Sequence, residues 1–331
     1  MVAAAVGRRV EGIVPFDPFR HLAGVVELML HAFRGGLGPG ARYTLRRMKR
    51  AARWGAWGFW LWGIEPQAGS APGFVWVDAG HVVGNVSLRR AASPGGWMIG
   101  NVAVHADWQG RGIGRALLEK ALETAAQQGA AWIGLEVDEK SAVARRMYER
   151  TGFVPVGAML ELVHSAAASL PPPSRAPLDL RPGRAADSAA LYQLAQEGLS
   201  RAHCETLEIR RSIYRAGWEV QLGGWLEGCR ESWEICERDG AVIGALRVQS
   251  RWFPRWHNLE VLARETELER LGPQLAAAGL SILAHRRPWE TTTALPGCRE
   301  ALEPHFTACG FRRLRRLVQM RRYLGQKVTV R

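Results

Sequence analysis

A glycine-rich turn at residues 109–115 is the stretch of this sequence best suited to hold a charged ligand. It reads Gln-Gly-Arg-Gly-Ile-Gly-Arg and follows the apolar residues 102–104. Residues 116–127 have apolar side chains at helical spacing, so the turn is predicted to join a strand to an amphipathic helix. The first amides of such a helix are unpaired, and glycines let a ligand approach the backbone. Because Arg111 and Arg115 add positive charge, the turn predicts a phosphate or pyrophosphate site.

The turn alone leaves a second interpretation open, a tight strand-to-helix connection that binds nothing. It is not a phosphate loop of the Walker type, because no Gly-Lys-Ser/Thr sequence follows. It also lacks the Gly-x-Gly-x-x-Gly spacing of dinucleotide-binding proteins. The residues that come next favour the ligand-binding interpretation.

A second strand and a second helix are predicted within the next forty residues. Residues 132–137 read as a strand, and residues 141–150 as a helix that ends before Gly152, a residue suited to a left-handed helix end. Taken together, residues 101–153 closely resemble the GNAT acyltransferase superfamily. The pattern of that family is an apolar strand, Gln/Arg-x-x-Gly-x-Gly/Ala, a helix, a strand and then Asn-x-x-Ala-x-x-Leu-Tyr-x-x-x-Gly-Phe.

This resemblance implies that the first half of the chain uses acetyl-CoA as a co-substrate, with no metal. In the family, amides of the glycine turn hold the pyrophosphate, and the pantetheine arm lies where the strand at 102–104 splays from the strand at 135–137. A backbone N–H near Val104 then polarises the thioester carbonyl. Ser141 replaces the asparagine often found at the next helix start, so its contact with the ligand is an open question. The expected CoA-binding residues are Val102, Ala103, Val104, Gln109, Gly110, Arg111, Gly112, Ile113, Gly114, Arg115 and Ser141.

The resemblance also implies two catalytic residues, Glu136 and Tyr148. Tyr148 matches the general acid that protonates the departing thiolate, and its alternative role is that of a packed core tyrosine. Many family members have a glutamate as general base just before the first strand, but Gly100 occupies that place here. Glu136 is the best replacement, since some members carry a glutamate twelve residues before the tyrosine. Its alternative role is that of a strand glutamate facing solvent or an arginine, and the turn residues His105 and Asp107 are weaker candidates for the base.

Composition sets limits on the rest of the interpretation. The chain has 331 residues, a net charge of +13 and five cysteines, none in a Cys-x-x-Cys pair. An odd number of cysteines without such pairs favours reduced thiols in a cytoplasmic protein. There is no apolar run long enough to span a membrane. The positive charge predicts a solvated, arginine-rich surface, with binding to an acidic partner such as RNA as the alternative.

The length and a faint internal repeat predict two tandem GNAT-like domains of α/β class (an α+β mixed sheet). Each is expected to have a central mixed, mostly antiparallel sheet flanked by helices. The predicted boundaries are 1–164 for the CoA-binding, catalytic domain, 165–177 for a Pro/Ala-rich linker and 178–331 for a degenerate, structural copy. That copy lacks the glycine turn and has Phe306 in place of Tyr148. Within it, residues 281–284 are predicted to form a strand, and the arginine-rich residues 312–322 an edge strand with outward charges.

The sequence therefore predicts an N-acyltransferase that moves an acetyl group from acetyl-CoA to an amine of an unidentified small-molecule or peptide acceptor. The protein is expected to be a monomer or a homodimer, without a membrane or nucleic-acid partner. The alternative is a non-catalytic tandem module that senses acyl-CoA or binds an acidic partner such as RNA.

Overall fold

A single twelve-stranded sheet runs through both halves of the chain in the computed structural model, which describes residues 12–33, 38–53, 73–165, 178–253 and 255–324. The strands are β1 (Gly12–Pro15), β2 (Phe74–Asp78), β3 (His81–Arg90), β4 (Gly96–Val104), β5 (Trp132–Asp138), β6 (Val154–His164), β7 (Arg181–Pro182), β8 (Cys229–Arg238), β9 (Ala241–Trp252), β10 (Arg255–Ala263), β11 (Thr291–Pro296) and β12 (Arg312–Tyr323). The helices are α1 (Pro18–Ala32), α2 (Pro39–Arg53), α3 (Ile113–Gln127), α4 (Ala142–Arg150), α5 (Ser188–Gln196), α6 (Arg201–Thr206), α7 (Trp218–Leu226), α8 (Leu268–Ala284) and α9 (Glu303–Ala308).

The strand order shows that the two halves exchange strands. It is β1-β2-β3-β4-β5-β12-β6-β11-β10-β9-β8-β7, so β12 lies between β5 and β6, and β6 in turn pairs with β11. The pairs β4–β5 and β10–β11 are parallel, and the other pairs are antiparallel. The last strand of the second half thus completes the sheet of the first half.

The expectation that residues 312–322 form an edge strand is therefore wrong. β12 is an interior strand, and four of its six arginines are paired with carboxylates from neighbouring elements, as in the ion pairs Arg313–Glu303 and Arg315–Glu161. Its centre is apolar and buried, with Val318 and Met320 in the core of the first half. The charges that suggested solvent exposure are instead paired between strands and helices.

The predicted fold class is confirmed, and the repeat is visible in matching backbone details. The β2–β3 turn has Gly80 at φ +84°, and the β8–β9 turn has Gly240 at φ +75°. Gly152 and Gly310, which end α4 and α9, both have φ +87°. Two copies of one αβ unit therefore follow each other in this chain, and their two sheets merge into one.

The helix after the glycine turn packs as its sequence pattern predicts. Its apolar face, comprising Ile113, Leu117, Leu118, Ala121, Leu122 and Ala125, is buried. Burying a leucine side chain contributes about 1.5–3 kcal/mol, so this face fixes α3 firmly against the sheet. Gly84 of β3 makes room for it, because a Cβ there would come within 2.9 Å of Ile113 and Leu117.

One local prediction in the second half is wrong, and others lie outside the described residues. Residues 281–284 are the end of α8 and not a strand, since the apolar period that begins at Leu268 continues through Leu283. The interdomain linker is described only at Ser165. The domain boundaries at 164 and 178 stay predictions. All five cysteines have free thiols.

Candidate active site

The strands β4 and β5 pair along part of their length and then separate. Their parallel pairing runs from Gly96 opposite Trp132 to Ile99 opposite Leu135 and ends there. Residues 100–104 of β4 and 136–138 of β5 continue as strands without pairing to each other. The gap between them leaves backbone groups available to a ligand.

A β-bulge in β4 lies where this separation begins. Asn85 of β3 is opposite Ala103 and Ser87 is opposite Gly100, so β4 has one more residue than β3 in this interval. Asn101 takes up the irregularity with a left-handed φ of +55°. A bulge bends its strand, and this one turns β4 away from β5.

The glycine turn lies beyond the end of β4 and has the open backbone expected of it. Gly110 and Gly112 have φ of +77° and +80°, and a Cβ at either would meet no atom within 4 Å. Helix α3 begins at Ile113 with no side chain capping its first amides. Gln109 donates from Nε2 to the carbonyl of Val104 at 3.1 Å, which ties the turn to the end of the strand. The residues present therefore fit a diphosphate at this helix start.

The predicted CoA-binding residues differ in whether their side chains or only their backbone groups can contact a ligand. The side chains of Ala103 and Ile113 are buried in the core, so only their backbone could contact a ligand. The guanidinium of Arg111 donates to the carbonyl of Asp107 at 2.9 Å, and Arg115 pairs with Glu119 at 2.8 Å, both on the protein surface. Ser141 precedes α4 without capping it through its side chain, so its hydroxyl is available.

A cavity of about 580 Å³ opens at the separation of β4 and β5. Its walls come from α1, β3, β4, β5, α4 and β12, so both halves of the chain contribute to it. Met29 of α1 and Phe33, which follows this helix, form an apolar wall. Glu136, Ser141 and Tyr148 line this one cavity, whereas His105 and Asp107 do not.

Tyr148 is a buried residue that lines the cavity, and its hydroxyl makes no hydrogen bond to another described residue. Its ring packs edge-on against Phe153, with 6.0 Å between the ring centroids. Desolvation raises the pKa of its hydroxyl to about 12. The phenol therefore keeps its proton at neutral pH and is able to donate it into the cavity.

Glu136 projects from β5 into the same cavity. Its side chain has exposed surface there, yet the surrounding walls leave the carboxyl poorly hydrated, and this desolvation raises its pKa. Gln319 of β12 donates from Nε2 to Glu136 Oε1 at 2.9 Å, which partly offsets the rise. A carboxylate with a raised pKa is a stronger base than an ordinary surface glutamate.

Two arginines line the cavity but are held by glutamates. Arg89 forms two hydrogen bonds with Glu208, at 2.9 and 2.6 Å, and Arg315 forms two with Glu161, at 2.7 and 3.2 Å. Sequence reasoning missed Arg315, Gln319 and Glu208, because these residues of the second half meet the first half only in the folded protein. Arg315 and Gln319 lie on β12, and Glu208 follows α6. Nothing in the local pattern of residues 312–322 indicates which strands they join.

A larger depression of about 780 Å³ lies in the second half, near the start of α5 and the β8–β9 turn. Its arginine Arg181 is paired with Asp187 and Glu237 of the same wall. It is not at a separation of strands, and we assign the candidate site to the smaller cavity. Within the described ranges there is neither a cluster of three potential metal ligands nor a helix long and apolar enough to cross a bilayer.

Comparisons with known proteins agree with this geometry. Residues 42–153 match the acetyltransferase (GNAT) family. The uncharacterized N-acetyltransferase MJ1207 of Methanocaldococcus jannaschii is 31% identical over 136 residues, which are 39% of this chain and 54% of that protein. The chain thus spans about half the length of this relative.

Two solved structures share the fold of the whole chain. A GCN5-related N-acetyltransferase from Sphaerobacter thermophilus aligns with a TM-score of 0.64 at 14% identity, covering 96% of this chain and 98% of its own. A tandem GNAT protein from the clavulanic acid biosynthesis pathway aligns with a TM-score of 0.58 at 18% identity, covering 95% and 99%. Together with the family match over residues 42–153, these alignments show that the chain has the tandem GNAT fold.

Proposed function

We propose that this protein is an N-acyltransferase that moves an acetyl group from acetyl-CoA to an amine of an acceptor still to be identified. One observation carries the proposal. The unpaired ends of β4 and β5 open onto a cavity that contains both a carboxylate of raised pKa, Glu136, and a protonated phenol, Tyr148. A base and an acid on one cavity beside an anion-binding turn are what acyl transfer to an amine requires.

The glycine turn and the free edge of β4 are the proposed binding site for acetyl-CoA, whose thioester supplies the activated acetyl group. The amides of residues 110–115 would hold the pyrophosphate, as the open surroundings of Gly110 and Gly112 allow. The backbone of residues 102–104 would bind the pantetheine arm, and an amide near Val104 would stabilise negative charge on the carbonyl oxygen. The Ser141 hydroxyl is close enough to the cavity to add a contact.

Glu136 is the proposed general base. An alkyl amine with a pKa near that of lysine, about 10.4, is almost fully protonated at neutral pH and must lose a proton before it attacks. The desolvated carboxylate of Glu136 can accept that proton, directly or through water. Tyr148 is the proposed general acid, which would donate its proton to the departing thiolate.

The charges around the cavity suit a cationic acceptor. Glu136 and Asp138 line it, and the positive charges of Arg89 and Arg315 are compensated by Glu208 and Glu161. The wall is therefore net acidic in a chain whose net charge is +13. We propose a small-molecule or peptide amine as the acceptor, and a cytoplasmic enzyme that acts without a metal as a monomer or homodimer.

The second half is proposed to bind no CoA of its own. Glu265, Glu267 and Glu269 stand at or just before the start of α8, where the first half has its glycine turn. Carboxylates suit the positive end of a helix but would repel a diphosphate. Phe306 takes the place of Tyr148 and packs against Phe311, so no hydroxyl is present there.

The test is calorimetric titration of the full-length protein with acetyl-CoA, followed by measurement of free thiol release in the presence of a panel of amines. The panel would hold alkyl diamines, amino acids and peptides with free N-termini. We expect one CoA site per chain and thiol release that needs both an amine and Glu136, with Glu136→Gln as the inactive comparison. Absence of CoA binding, or binding without turnover of any amine, would overturn the assignment as an enzyme.

A further inference from the structure

Three residues of the first and second halves form one row across the sheet beside the cavity. Gln319 of β12 is the register partner of Glu136 on β5 and of Gly157 on β6. Direct partners in neighbouring strands point to the same face of a sheet. The row therefore runs from Glu136 at the cavity, through Gln319, to Gly157 on β6.

A chain of hydrogen bonds follows this row from Glu136 to His203 of α6. Gln319 is fully buried; its Nε2 is 2.9 Å from Glu136 Oε1, and its Oε1 is 3.2 Å from His203 Nε2. An ionised carboxylate only accepts hydrogen bonds, so the amide must turn its NH₂ group towards Glu136. The amide oxygen then faces His203, which must carry its proton on Nε2.

The position of His203 depends on the missing side chain of Gly157. A Cβ at Gly157 would lie 2.2 Å from Nδ1 of the imidazole, so any larger residue would overlap the ring. Ser200 caps the first turn of α6 through the amide of His203, which fixes the ring from the other side. His203 is 3% exposed, and its burial lowers its pKa, so it is a neutral donor at physiological pH.

We propose that Gln319 and His203 are positioning residues that hold the Glu136 carboxylate in its ionised, cavity-facing orientation. The degenerate half then completes the acid–base site of the first half without binding CoA itself. This inference rests on the proposed function for its catalytic meaning, but the hydrogen-bond chain itself is testable without any substrate.

Other charges also face Glu136 and act on its titration. Arg89 of β3 and Arg315 of β12 favour the ionised form, whereas Glu161 of β6 opposes it. Asp138 lines the same cavity on β5. Removing the Gln319 donor changes none of these groups, so its effect on the pKa of Glu136 is separable from theirs.

The experiment is a ¹³C NMR titration of glutamate-labelled, full-length protein, with the Glu136 signal assigned from its loss in Glu136→Gln. Gln319→Met keeps the length of the side chain but removes both hydrogen bonds. A hydrogen bond to the ionised form lowers a pKa, so we expect the pKa of Glu136 to rise by about one unit in this variant. His203→Phe removes only the hydrogen bond between His203 and Gln319 and is expected to raise the pKa of Glu136 by less.

Gln249→Met is the matched control. Gln249 of β9, at the far side of the sheet, donates from Nε2 to Glu231 of β8 at 2.7 Å. This variant therefore loses the same kind of hydrogen bond away from the cavity. We expect it to leave the titration of Glu136 unchanged. Thermal unfolding of each variant verifies that the titrated protein is folded. If Gln319→Met does not fold, His203→Phe carries the test with the same expected direction.

An unchanged pKa of Glu136 in folded Gln319→Met, or an equal change in Gln249→Met, would overturn the inference. If turnover is measured, the acid side of its pH profile should move upward with the pKa of Glu136, while the KM for acetyl-CoA stays the same. Failure of acetyl-CoA to bind would contradict the proposed function and leave the NMR result intact. The two proposals therefore fail by different observations.

Discussion

Asn85 donates a hydrogen bond from its side-chain amide to the backbone carbonyl of Asn101 at 2.8 Å. Asn85 is 2% exposed, and Asn101 is the left-handed residue of the β4 bulge. The Asn101 side chain in turn donates to Ser87 Oγ at 3.1 Å. These contacts stabilise the bulge that separates β4 from β5, so they support the gap proposed to receive the pantetheine arm.

Asn85→Ala is therefore expected to weaken both the fold and the binding of acetyl-CoA. Losing this hydrogen bond costs about 0.5–1.5 kcal/mol. Calorimetry should show weaker binding of acetyl-CoA, since β4 is no longer held in its bent form. Asn258→Ala, in β10 of the second half, is the control; among the described residues its side chain bonds to Thr292 alone, at 3.3 Å, and its loss should not change the affinity. Equal affinities for acetyl-CoA in the wild type, Asn85→Ala and Asn258→Ala would contradict a role for the bulge.

Gly112→Ala tests the glycine turn separately from protein stability. Gly112 and Gly240 have φ of +80° and +75°, and a Cβ at either position would meet no atom within 4 Å. Each alanine variant should therefore lose about 1–2 kcal/mol of unfolding free energy through left-handed backbone strain alone. Only Gly112→Ala should weaken binding of acetyl-CoA, because its Cβ covers amides at the start of α3. If Gly240→Ala weakens binding as much, the effect comes from stability and not from the turn.

Tyr148→Phe is expected to lower kcat by about 10²–10⁴-fold without changing the affinity for acetyl-CoA. The hydroxyl has no hydrogen bond to a described residue, so its removal should leave the thermal unfolding temperature equal or higher. Tyr214→Phe removes the hydroxyl of another buried tyrosine, which donates to Glu260 at 3.0 Å in the second half. This control should lose stability and keep its kcat. A Tyr148→Phe enzyme with full kcat would show that the tyrosine only packs.

The local parts of this site could be predicted from the sequence. The helix after Gly112 and the helix before Gly152 have a regular apolar period and glycines at their ends. These signals come from residues that are close together in the sequence. The β4 bulge was missed, although the pair Gly100-Asn101 was a signal, since asparagine tolerates left-handed backbone better than most residues. The short run Ser281 to Ala284, with three apolar residues, could not distinguish helix from strand.

The distant parts could not be predicted, because strand pairing across the halves has no local signature. Residues 312–322 mix pairs of arginines with apolar residues, which suits an exposed edge. In the structure those charges meet Glu161, Glu300 and Glu303, which lie elsewhere in the chain. The same pairing brings Gln319 to Glu136, 183 positions away. The environment of Glu136, the proposed base, is thus determined by the order of the strands in the sheet.

The pH dependence of turnover should report the raised pKa of Glu136. Since a base acts only when ionised, kcat/KM is expected to fall on the acid side through a pKa above the ordinary glutamate value of about 4.3. Glu136→Gln should abolish this dependence and lower kcat by about 10²–10⁴-fold. A profile that is flat down to the ordinary glutamate pKa would contradict the role of Glu136.

The same shift has an effect on stability with a defined sign. The folded protein holds the Glu136 proton more tightly than the unfolded chain does, so ionisation destabilises the fold as the pH rises through the two pKa values. Glu136→Gln cannot ionise and can still accept the hydrogen bond from Gln319. It should unfold at a higher temperature than the wild type at pH 7, and the difference should disappear below the unfolded-state pKa. Thermal unfolding of both proteins at pH 7 and pH 4 measures the difference and its disappearance.

Strand exchange should keep the two halves together when the chain is cut between them. β12 pairs with β5 from Leu317 to Tyr323, and with β6 along most of its length. Arg321, at the centre of this contact, lies 3.8 Å from the Trp132 ring and pairs with Glu205 at 2.6 Å. Separation of the halves would leave the facing backbone groups of β5, β6 and β12 without their partners and would remove the Trp132 ring from Arg321, so it would be strongly unfavourable.

We therefore expect a protease site inserted within residues 166–177 to give two fragments that elute together in gel filtration and unfold in one transition. The C-terminal fragment carries β12, which the first half needs between β5 and β6, and the N-terminal fragment carries β6, which the second half needs beside β11. Glu205→Ala, which leaves Arg321 buried without its partner, should lower the temperature of that single transition. Two separately folded fragments after cleavage would mean that each half forms its own sheet, and the supply of Gln319 to Glu136 by the second half would then be excluded.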